Sequence, residues 1–181
     1  LFQVSIQFGA ILAVVVLYWK KFFDFSKINF YIKLACAVIP ALVLGKIFDD
    51  KIDAILGNPI PIAIVLILGG IVLLFIDGRF HNPTVANEED ITIKKAVTIG
   101  FWQCLAMMPG TSRSAASIIG GMQQGLTRET AAEFSFFLAV PTMLAVTTYS
   151  LFLKTYEVSQ LKGYELLTQS SDNLKLFFIG N

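Results

Sequence analysis

The sequence predicts an all-α fold, a polytopic membrane helix bundle with one re-entrant, broken helical hairpin at residues 96–124. Composition is the first indication: 55% of the 181 residues are hydrophobic and 15% are charged, with a mean hydropathy of +0.69. Soluble domains carry about 25% charged residues. Long charge-free windows are the second indication, because a helix needs about 20 apolar residues to cross a bilayer. The third is the break Pro109-Gly110 between two apolar segments that are each too short to cross. We therefore assign residues 1–181 to a single integral membrane domain.

The first predicted span covers residues 1–19. It carries no charge and ends at Tyr18-Trp19-Lys20-Lys21, an aromatic and basic sequence typical of a membrane interface. Gln3 and Gln7 lie one helical turn apart and share a face, which should be turned away from lipid. Two interpretations stay open for Gln7, an interhelical hydrogen bond and a contact to substrate.

Two more spans are predicted before the most polar part of the chain. Residues 20–33 form a lysine-rich connection, which the positive-inside rule places in the cytoplasm. Residues 34–48 form the second span, and the acidic stretch 49–53 is interpreted as a solvated loop rather than as a divalent-cation site. Residues 59–76 form the third span, in which Gly69-Gly70 would let a neighbouring helix approach closely.

Residues 77–95 are predicted to form a polar segment on the cytoplasmic side. It contains His81, the single histidine of the sequence, which is interpreted as an ordinary solvated side chain because no partner motif accompanies it. Beyond the hairpin, Gly125 is predicted to stop one helix and Thr127 to cap the next.

The last predicted span covers residues 128–153. Glu133 lies about one turn inside this helix and is a candidate substrate-binding residue. Its carboxylate is expected to pair with Arg113 or Arg128, and a structural ion pair and a catalytic role both stay open. Residues 154–173 are expected to be interfacial or irregular.

Arg113 is the only charged residue between Ala96 and Thr127, inside the predicted hairpin. A lone arginine at membrane depth costs several kcal/mol and by default marks a functional site. Hydroxyls and the N–H groups of a new helix surround it, which describes a cradle for an anion. Phosphate suits this cradle best, because a helix N-terminus supplies partial positive charge and an arginine can bind phosphate oxygens bidentately. The candidate residues around Arg113 are Gly110, Thr111, Ser112, Ser114 and Ser117.

Several other kinds of protein fit the sequence poorly. The net charge of +1 offers no basic surface for nucleic acid. Cys36 and Cys104 are interpreted as buried free thiols rather than as a disulfide or a metal pair. A cysteine phosphatase would need its nucleophile where Met107 stands, and an acid-phosphatase-type lipid phosphatase needs a histidine after Arg113, where this sequence has none.

The segment from Pro109 to Ile118, Pro-Gly-Thr-Ser-Arg-Ser-Ala-Ala-Ser-Ile, resembles the arginine motif of the undecaprenyl-pyrophosphate phosphatase family, the bacterial bacitracin-resistance proteins. The similarity covers essentially the whole chain and is specific at residues 125–128 and in the Phe-Ser-Phe helix at 132–143. Ala115 and Ser117 stand where the family usually has Gly and Thr. Both changes keep a small side chain, and the second keeps the hydroxyl.

The resemblance implies hydrolysis of undecaprenyl pyrophosphate to undecaprenyl phosphate, which recycles the lipid carrier of cell-wall synthesis. Arg113 and Ser112 would be catalytic, and a divalent metal ion (Mg²⁺ or Ca²⁺) would be the cofactor. The implied location is the bacterial inner (plasma) membrane, crossed several times. The implied partners are the polyprenyl pyrophosphate lipid and the bilayer, and a homodimer stays open. From the residues alone, the rival interpretation is a transporter or channel that binds an anion at the broken hairpin.

The chain begins and ends within apolar runs, so it is interpreted as an internal piece of a longer protein. The resemblance implies that a glutamate-rich and Ser-Gly-His motif, on a partner hairpin, precedes Leu1. That motif would supply the nucleophile or acid–base pair and the metal ligands. We therefore expect the 181-residue chain to be inactive by itself.

Overall fold

The computed structural model describes residues 9, 11, 13–22, 27–56, 58–76, 78–80, 83–156 and 161–168, and these are mostly helical. The α-helices, in chain order, are α1 (Trp19–Phe22), α2 (Ile28–Leu56), α3 (Pro59–Ile76), α4 (Ile93–Gln103), α5 (Arg113–Gln123), α6 (Arg128–Thr148) and α7 (Gly163–Thr168). The shorter pieces are the 3₁₀ turns Glu88–Asp90 and Cys104–Met107, the π-helical turn Tyr149–Leu153, and the strands β1 (Thr155–Tyr156) and β2 (Leu161–Lys162). Gln7, Gln3 and His81, which the sequence singled out, lie outside the described residues.

Three of the described helical segments are long and apolar enough to cross a membrane, namely Ile28–Asp49, Pro59–Ile76 and Arg128–Leu153. The middle one, α3, buries none of its residues within the structure. A helix that is hydrophobic all round and is not covered by protein belongs in a bilayer, with its side chains against lipid. The chain is a membrane protein, and the predicted helical membrane bundle is confirmed.

Helix α2 is longer than the sequence predicted. The second span was placed at residues 34–48, between a connection and an acidic loop, but the helix runs without a break from Ile28 to Leu56. The acidic stretch 49–53 is therefore helical, and the loop prediction there was wrong. The charged residues mark where a helix leaves the apolar layer, not where its hydrogen bonding stops, and the first strong breaker, Gly57-Asn58-Pro59, comes only afterwards.

The chain divides into two compact units, one formed by residues 1–25 with 139–181 and the other by residues 26–138. In the first unit a small apolar cluster is formed by Ile11, Val14, Val15, Ala139, Val140 and Met143. Its β1 and β2 pair antiparallel, with Thr155 opposite Lys162. The sequence did not predict this hairpin, which is too short to show the alternation of a strand.

In the second unit, aromatic rings join α2 to the beginning of α6. The ring of Phe30 meets the rings of Phe134 and Phe137 edge to face, at centroid distances of 6.1 and 5.2 Å, a favourable arrangement for aromatic pairs. Phe134 has no exposed surface. On the other side α4 lies so close to α2 that a side chain at Gly100 would overlap the carbonyl of Ala37. These contacts fix the helices that carry the broken hairpin.

The turn between α5 and α6 has the predicted stop and start signals. Gly125 has a φ of +84°, a left-handed conformation that glycine adopts at little cost. The hydroxyl oxygen of Thr127 accepts a hydrogen bond from the N–H of Thr130 at 3.2 Å, as an N-cap does. Both predictions are confirmed.

Candidate anion site at the broken hairpin

The two helices of the hairpin are separated by a non-helical tip. After α4 and its 3₁₀ turn, residues 108–112 leave the helical conformation, and α5 begins at Arg113. The N–H of Thr111 donates to the carbonyl of Met108 at 3.0 Å, which closes a tight turn around Pro109 and Gly110. The predicted helix break at residues 109–112 is confirmed, while its depth in a membrane stays a prediction.

Gly110 lies at the point where the tip touches α3. Its φ is +97°, and a Cβ atom there would lie 2.6 Å from the carbonyl oxygen of Ile62 and 3.3 Å from the Cβ of Val65. Only glycine meets both demands, the left-handed backbone and the close approach. The structure thus gives Gly110 a packing role, and its contact to substrate stays a prediction.

Ser112 starts α5 as its N-cap. Its hydroxyl oxygen accepts a hydrogen bond from the N–H of Ala115 at 3.3 Å and lies 3.3 Å from the hydroxyl of Ser114. Capping satisfies one of the N–H groups that a helix N-terminus leaves without an intrahelical acceptor. Thr111 and Ser114 are half-buried and Ser112 is exposed. Hydroxyls and N–H groups therefore meet at one place, at the positive end of α5.

Arg113 is the first residue of α5. The side chain is partly buried, and its Nη1 atom is buried with no hydrogen-bond partner in the part of the chain that the structure describes. Leaving a buried donor unsatisfied costs about 1–3 kcal/mol, and more when the group is charged. An oxyanion beside the guanidinium would remove that cost. We call the set Gly110, Thr111, Ser112, Arg113 and Ser114 the anion cradle.

Ser117 lies behind the anion cradle. It is 1% exposed, and its hydroxyl donates towards the carbonyls of Arg113 at 3.0 Å and Ser114 at 3.2 Å. The hydroxyl of Ser135 on α6 lies 2.6 Å from it. These bonds hold the first turn of α5 against α6. Ser117 is thus a supporting residue in the structure, and a direct contact to substrate stays a prediction.

Sequence reasoning missed two residues that shape the hairpin. Ser135 was read only as part of the Phe-Ser-Phe helix, although a lone small polar residue between two phenylalanines is a signal for a buried hydrogen bond. Trp102 on α4 packs on Gly120 of α5, where a Cβ would lie 2.6 Å from the indole, and its Nε1–H donates to Gln123 Oε1 at 2.7 Å. No short motif signalled that pair.

Glu133 and the two cysteines are the other residues that the sequence singled out and the structure describes. Glu133 is half-buried on α6, and its pairing with Arg113 or Arg128 stays a prediction. Cys36 and Cys104 are free thiols. Among the residues that the structure describes, no group of three His, Cys, Asp or Glu side chains could hold a metal ion.

The comparisons with known proteins agree with the motif at the cradle. The family described as bacitracin resistance protein BacA matches residues 1–178. The undecaprenyl-diphosphatase of Flavobacterium johnsoniae is 51% identical over 182 residues, which are all of this chain and 65% of that protein. The undecaprenyl-diphosphatase of Porphyromonas gingivalis is 44% identical over 197 residues, which are 99% of this chain and 67% of that protein. The chain spans about 65% of the length of these relatives.

Proposed function

The chain belongs to the bacitracin resistance protein BacA family, and from this premise we propose that the protein hydrolyses undecaprenyl pyrophosphate. Its relatives are named undecaprenyl-diphosphatase. In this reaction an oxygen from water bonds to the terminal phosphorus and the bridging P–O bond breaks. The bridging oxygen stays on the lipid monophosphate, and inorganic phosphate leaves. The reaction recycles a lipid carrier of bacterial cell-wall synthesis, in the inner membrane, which the protein crosses several times.

The observation that carries the proposal is the buried Nη1 atom of Arg113, which has no partner among the described residues. A pyrophosphate in the anion cradle gives that atom an acceptor. The planar guanidinium can bind two phosphate oxygens at once. Charge spreads over the oxygens of the transferred phosphoryl group as the bond breaks, so a fixed cation that binds these oxygens lowers the barrier.

The hydroxyls of the anion cradle are oriented for the same task. A serine hydroxyl has one proton and two acceptor lone pairs. The oxygen of Ser112 already accepts the N–H of Ala115 and lies 3.3 Å from the hydroxyl of Ser114. One of the two serine protons can join the serines, which leaves the other available to donate to a phosphate oxygen. Thr111 adds a further donor beside them. We assign Ser112 and Arg113 the catalytic contacts, and Gly110, Thr111 and Ser114 the positioning of the diphosphate.

An apolar surface of the protein that can contact the prenyl chain lies next to the anion cradle. Gly110 lies against Ile62 and Val65 of α3, and the isoleucines and leucines farther along α3 are exposed. In a bilayer that surface faces hydrocarbon, where a C55 chain is soluble. The substrate would therefore leave its tail in the lipid and bring only its diphosphate to the tip of the hairpin.

A divalent ion, Mg²⁺ or Ca²⁺, is part of the proposal. The described residues contain no group of three side chains suited to bind a metal ion. None of the steps above therefore depends on the ion. Its ligands would be other residues of the complete protein. Removal of divalent ions with a chelator should abolish turnover, and either ion should restore it. A homodimer stays a prediction.

The test is product analysis with the complete protein, purified in detergent and given undecaprenyl pyrophosphate with Mg²⁺ or Ca²⁺. We expect inorganic phosphate and undecaprenyl phosphate in equal amounts, the lipid identified by mass spectrometry. An Arg113→Ala preparation made in parallel controls for contaminating phosphatases. Binding of the diphosphate without release of phosphate would contradict hydrolysis and favour the rival interpretation, a transporter.

A further inference from the structure

A pocket lies at the opposite end of α5 from the anion cradle. Its volume is about 540 Å³, and it is lined by residues that follow α3 and by the turn between α5 and α6. Helix α5 has 11 residues and rises about 1.5 Å per residue, so its two ends are about 16 Å apart. The pocket is therefore distinct from the site around Arg113.

Two arginines define the chemistry of this pocket. Arg79, just beyond the end of α3, and Arg128, the first residue of α6, both line it and both are exposed. Two arginines that line one concave space favour an anion with several oxygens, since a guanidinium can bind phosphate bidentately. We call this space the arginine pocket.

Backbone hydrogen bonds join the two segments that form the arginine pocket. The carbonyl of Gly125 accepts hydrogen bonds from the N–H groups of Thr84 and Val85, at 2.8 and 2.9 Å, and the N–H of Thr127 donates to the carbonyl of Val85 at 2.9 Å. A Cβ at Gly125 would lie 2.7 Å from Thr84 Oγ1. The two segments that form the walls are thus joined before any ligand binds, which lowers the cost of binding.

Four of the other lining residues are apolar, and Gln123 and Thr127 add polar groups. Phe80, Pro83, Met122 and Leu126 line the same space as the two arginines. Phe80 and Pro83 keep accessible surface. A free phosphate ion would gain nothing from it, whereas a phosphodiester with an attached glycerol and acyl chain would cover it. Arg79 follows closely after α3, a helix apolar enough to cross a membrane, so the pocket lies where lipid head groups lie. Basic pockets beside membrane helices bind anionic head groups in this way.

We propose that the arginine pocket binds the phosphodiester of an anionic phospholipid and thereby stabilises the base of the hairpin. The proposal is separate from the phosphatase activity. The ligand is a resident lipid such as phosphatidylglycerol, not the diphosphate that is hydrolysed. Binding to the folded state alone raises the unfolding temperature as ligand concentration rises, so the site can be tested without an activity assay.

The experiment measures the thermal unfolding midpoint of the complete protein in detergent while lipid is added. Phosphatidylglycerol should raise the midpoint more than phosphatidylcholine with the same acyl chains. In Arg79→Gln/Arg128→Gln the phosphatidylglycerol affinity obtained from the shift should fall at least about tenfold, the loss expected for charge-assisted hydrogen bonds. Lys94→Gln/Lys95→Gln is the matched control, because it removes two charges at the N-terminus of α4, outside the pocket. It should keep the preference for phosphatidylglycerol.

Three results would overturn the proposal. The first is an equal phosphatidylglycerol effect in wild type and in the double arginine variant. The second is an equal loss in the lysine control, which would indicate general surface attraction. The third is an equal shift with inorganic phosphate at the same concentration, which would indicate a free-anion site. If the glutamine variant does not fold, Arg79→Lys/Arg128→Lys replaces it. That variant keeps both charges but loses the planar forks, and it should show a reduced preference.

Discussion

The hydroxyl oxygens of Ser117 and Ser135 lie 2.6 Å apart, and the two side chains are 1% and 4% exposed. Because Ser117 also donates to the carbonyl of Arg113, its own proton is in use, and Ser135 supplies the proton between the two serines. Helix α6 therefore holds the first turn of α5, which carries Arg113. Ser135 is a positioning residue that acts on the anion cradle through Ser117.

Replacing Ser135 by Ala should lower the free energy of unfolding by about 1 kcal/mol, the net value of a buried hydrogen bond. The turnover number should fall by about two- to tenfold, because the first turn of α5 loses a fixed contact. A double-mutant cycle with Ser117→Ala checks the pair, using unfolding midpoints and kcat of the complete protein. If the two single effects simply add, the hydroxyls do not act together.

Replacing Arg113 by Lys should remove most of the phosphatase activity, and replacing it by Ala nearly all. Lysine keeps a charge but lacks the planar fork that binds two oxygens, and loss of one transition-state donor typically costs about a hundredfold or more. Steady-state kinetics with a prenyl pyrophosphate measures this, with His81→Ala as a control expected to stay near wild type. A kcat of Arg113→Ala above about a tenth of the wild-type value corresponds to a loss of transition-state stabilisation below about 1.4 kcal/mol. That result would contradict the proposed binding of two phosphate oxygens by Arg113.

Substitutions of Ser112 should separate its capping role from its contact to substrate. Aspartate caps a helix about as well as serine, whereas alanine costs about 1 kcal/mol. Ser112→Asp should therefore unfold at nearly the wild-type temperature. It should bind the diphosphate at least about tenfold more weakly, because the new carboxylate repels the negatively charged diphosphate. Ser112→Ala should show the larger loss of stability. A Ser112→Asp enzyme with wild-type KM and kcat would exclude the predicted phosphate contact.

Gly110→Ala should destabilise the protein strongly. The left-handed φ of +97° costs a non-glycine residue about 1–2 kcal/mol, and the new Cβ would lie 2.6 Å from the carbonyl oxygen of Ile62. Gly69→Ala is the matched control, because a Cβ there meets nothing within 4 Å and alanine is the better helix former. Thermal unfolding of both variants gives the comparison. Equal midpoints would show that the tip moves away from α3 without cost.

The sequence predicted those features that depend on local chemistry. Pro109-Gly110 breaks the hairpin, Gly125 ends α5 and Thr127 caps α6, because turn and cap preferences act over a few residues. The single charge in an apolar stretch drew attention to Arg113, which the structure places at the start of α5 with a buried Nη1 atom. Its role in binding an anion stays a prediction.

Features that depend on tertiary contact were not predicted. The extension of α2 through the acidic stretch 49–53 was missed because charge was taken as a helix end. The bonds of Ser135 to Ser117 and of Trp102 to Gln123 join residues 18 and 21 positions apart. No spacing rule within one helix relates such partners, since they meet only after the helices have packed.

The contact of Gly110 with Ile62 links the position of the hairpin tip to the thickness of the membrane. Helix α3 has 18 residues and is therefore about 27 Å long, slightly less than the roughly 30 Å of a typical hydrocarbon core. A helix answers such a mismatch by tilting or by deforming the bilayer around it. Because the hairpin tip lies directly on the backbone of α3, a tilt of this helix displaces the tip and the Arg113 guanidinium with it. We therefore expect the rate of the proposed hydrolysis to depend on the acyl-chain length of the surrounding lipids.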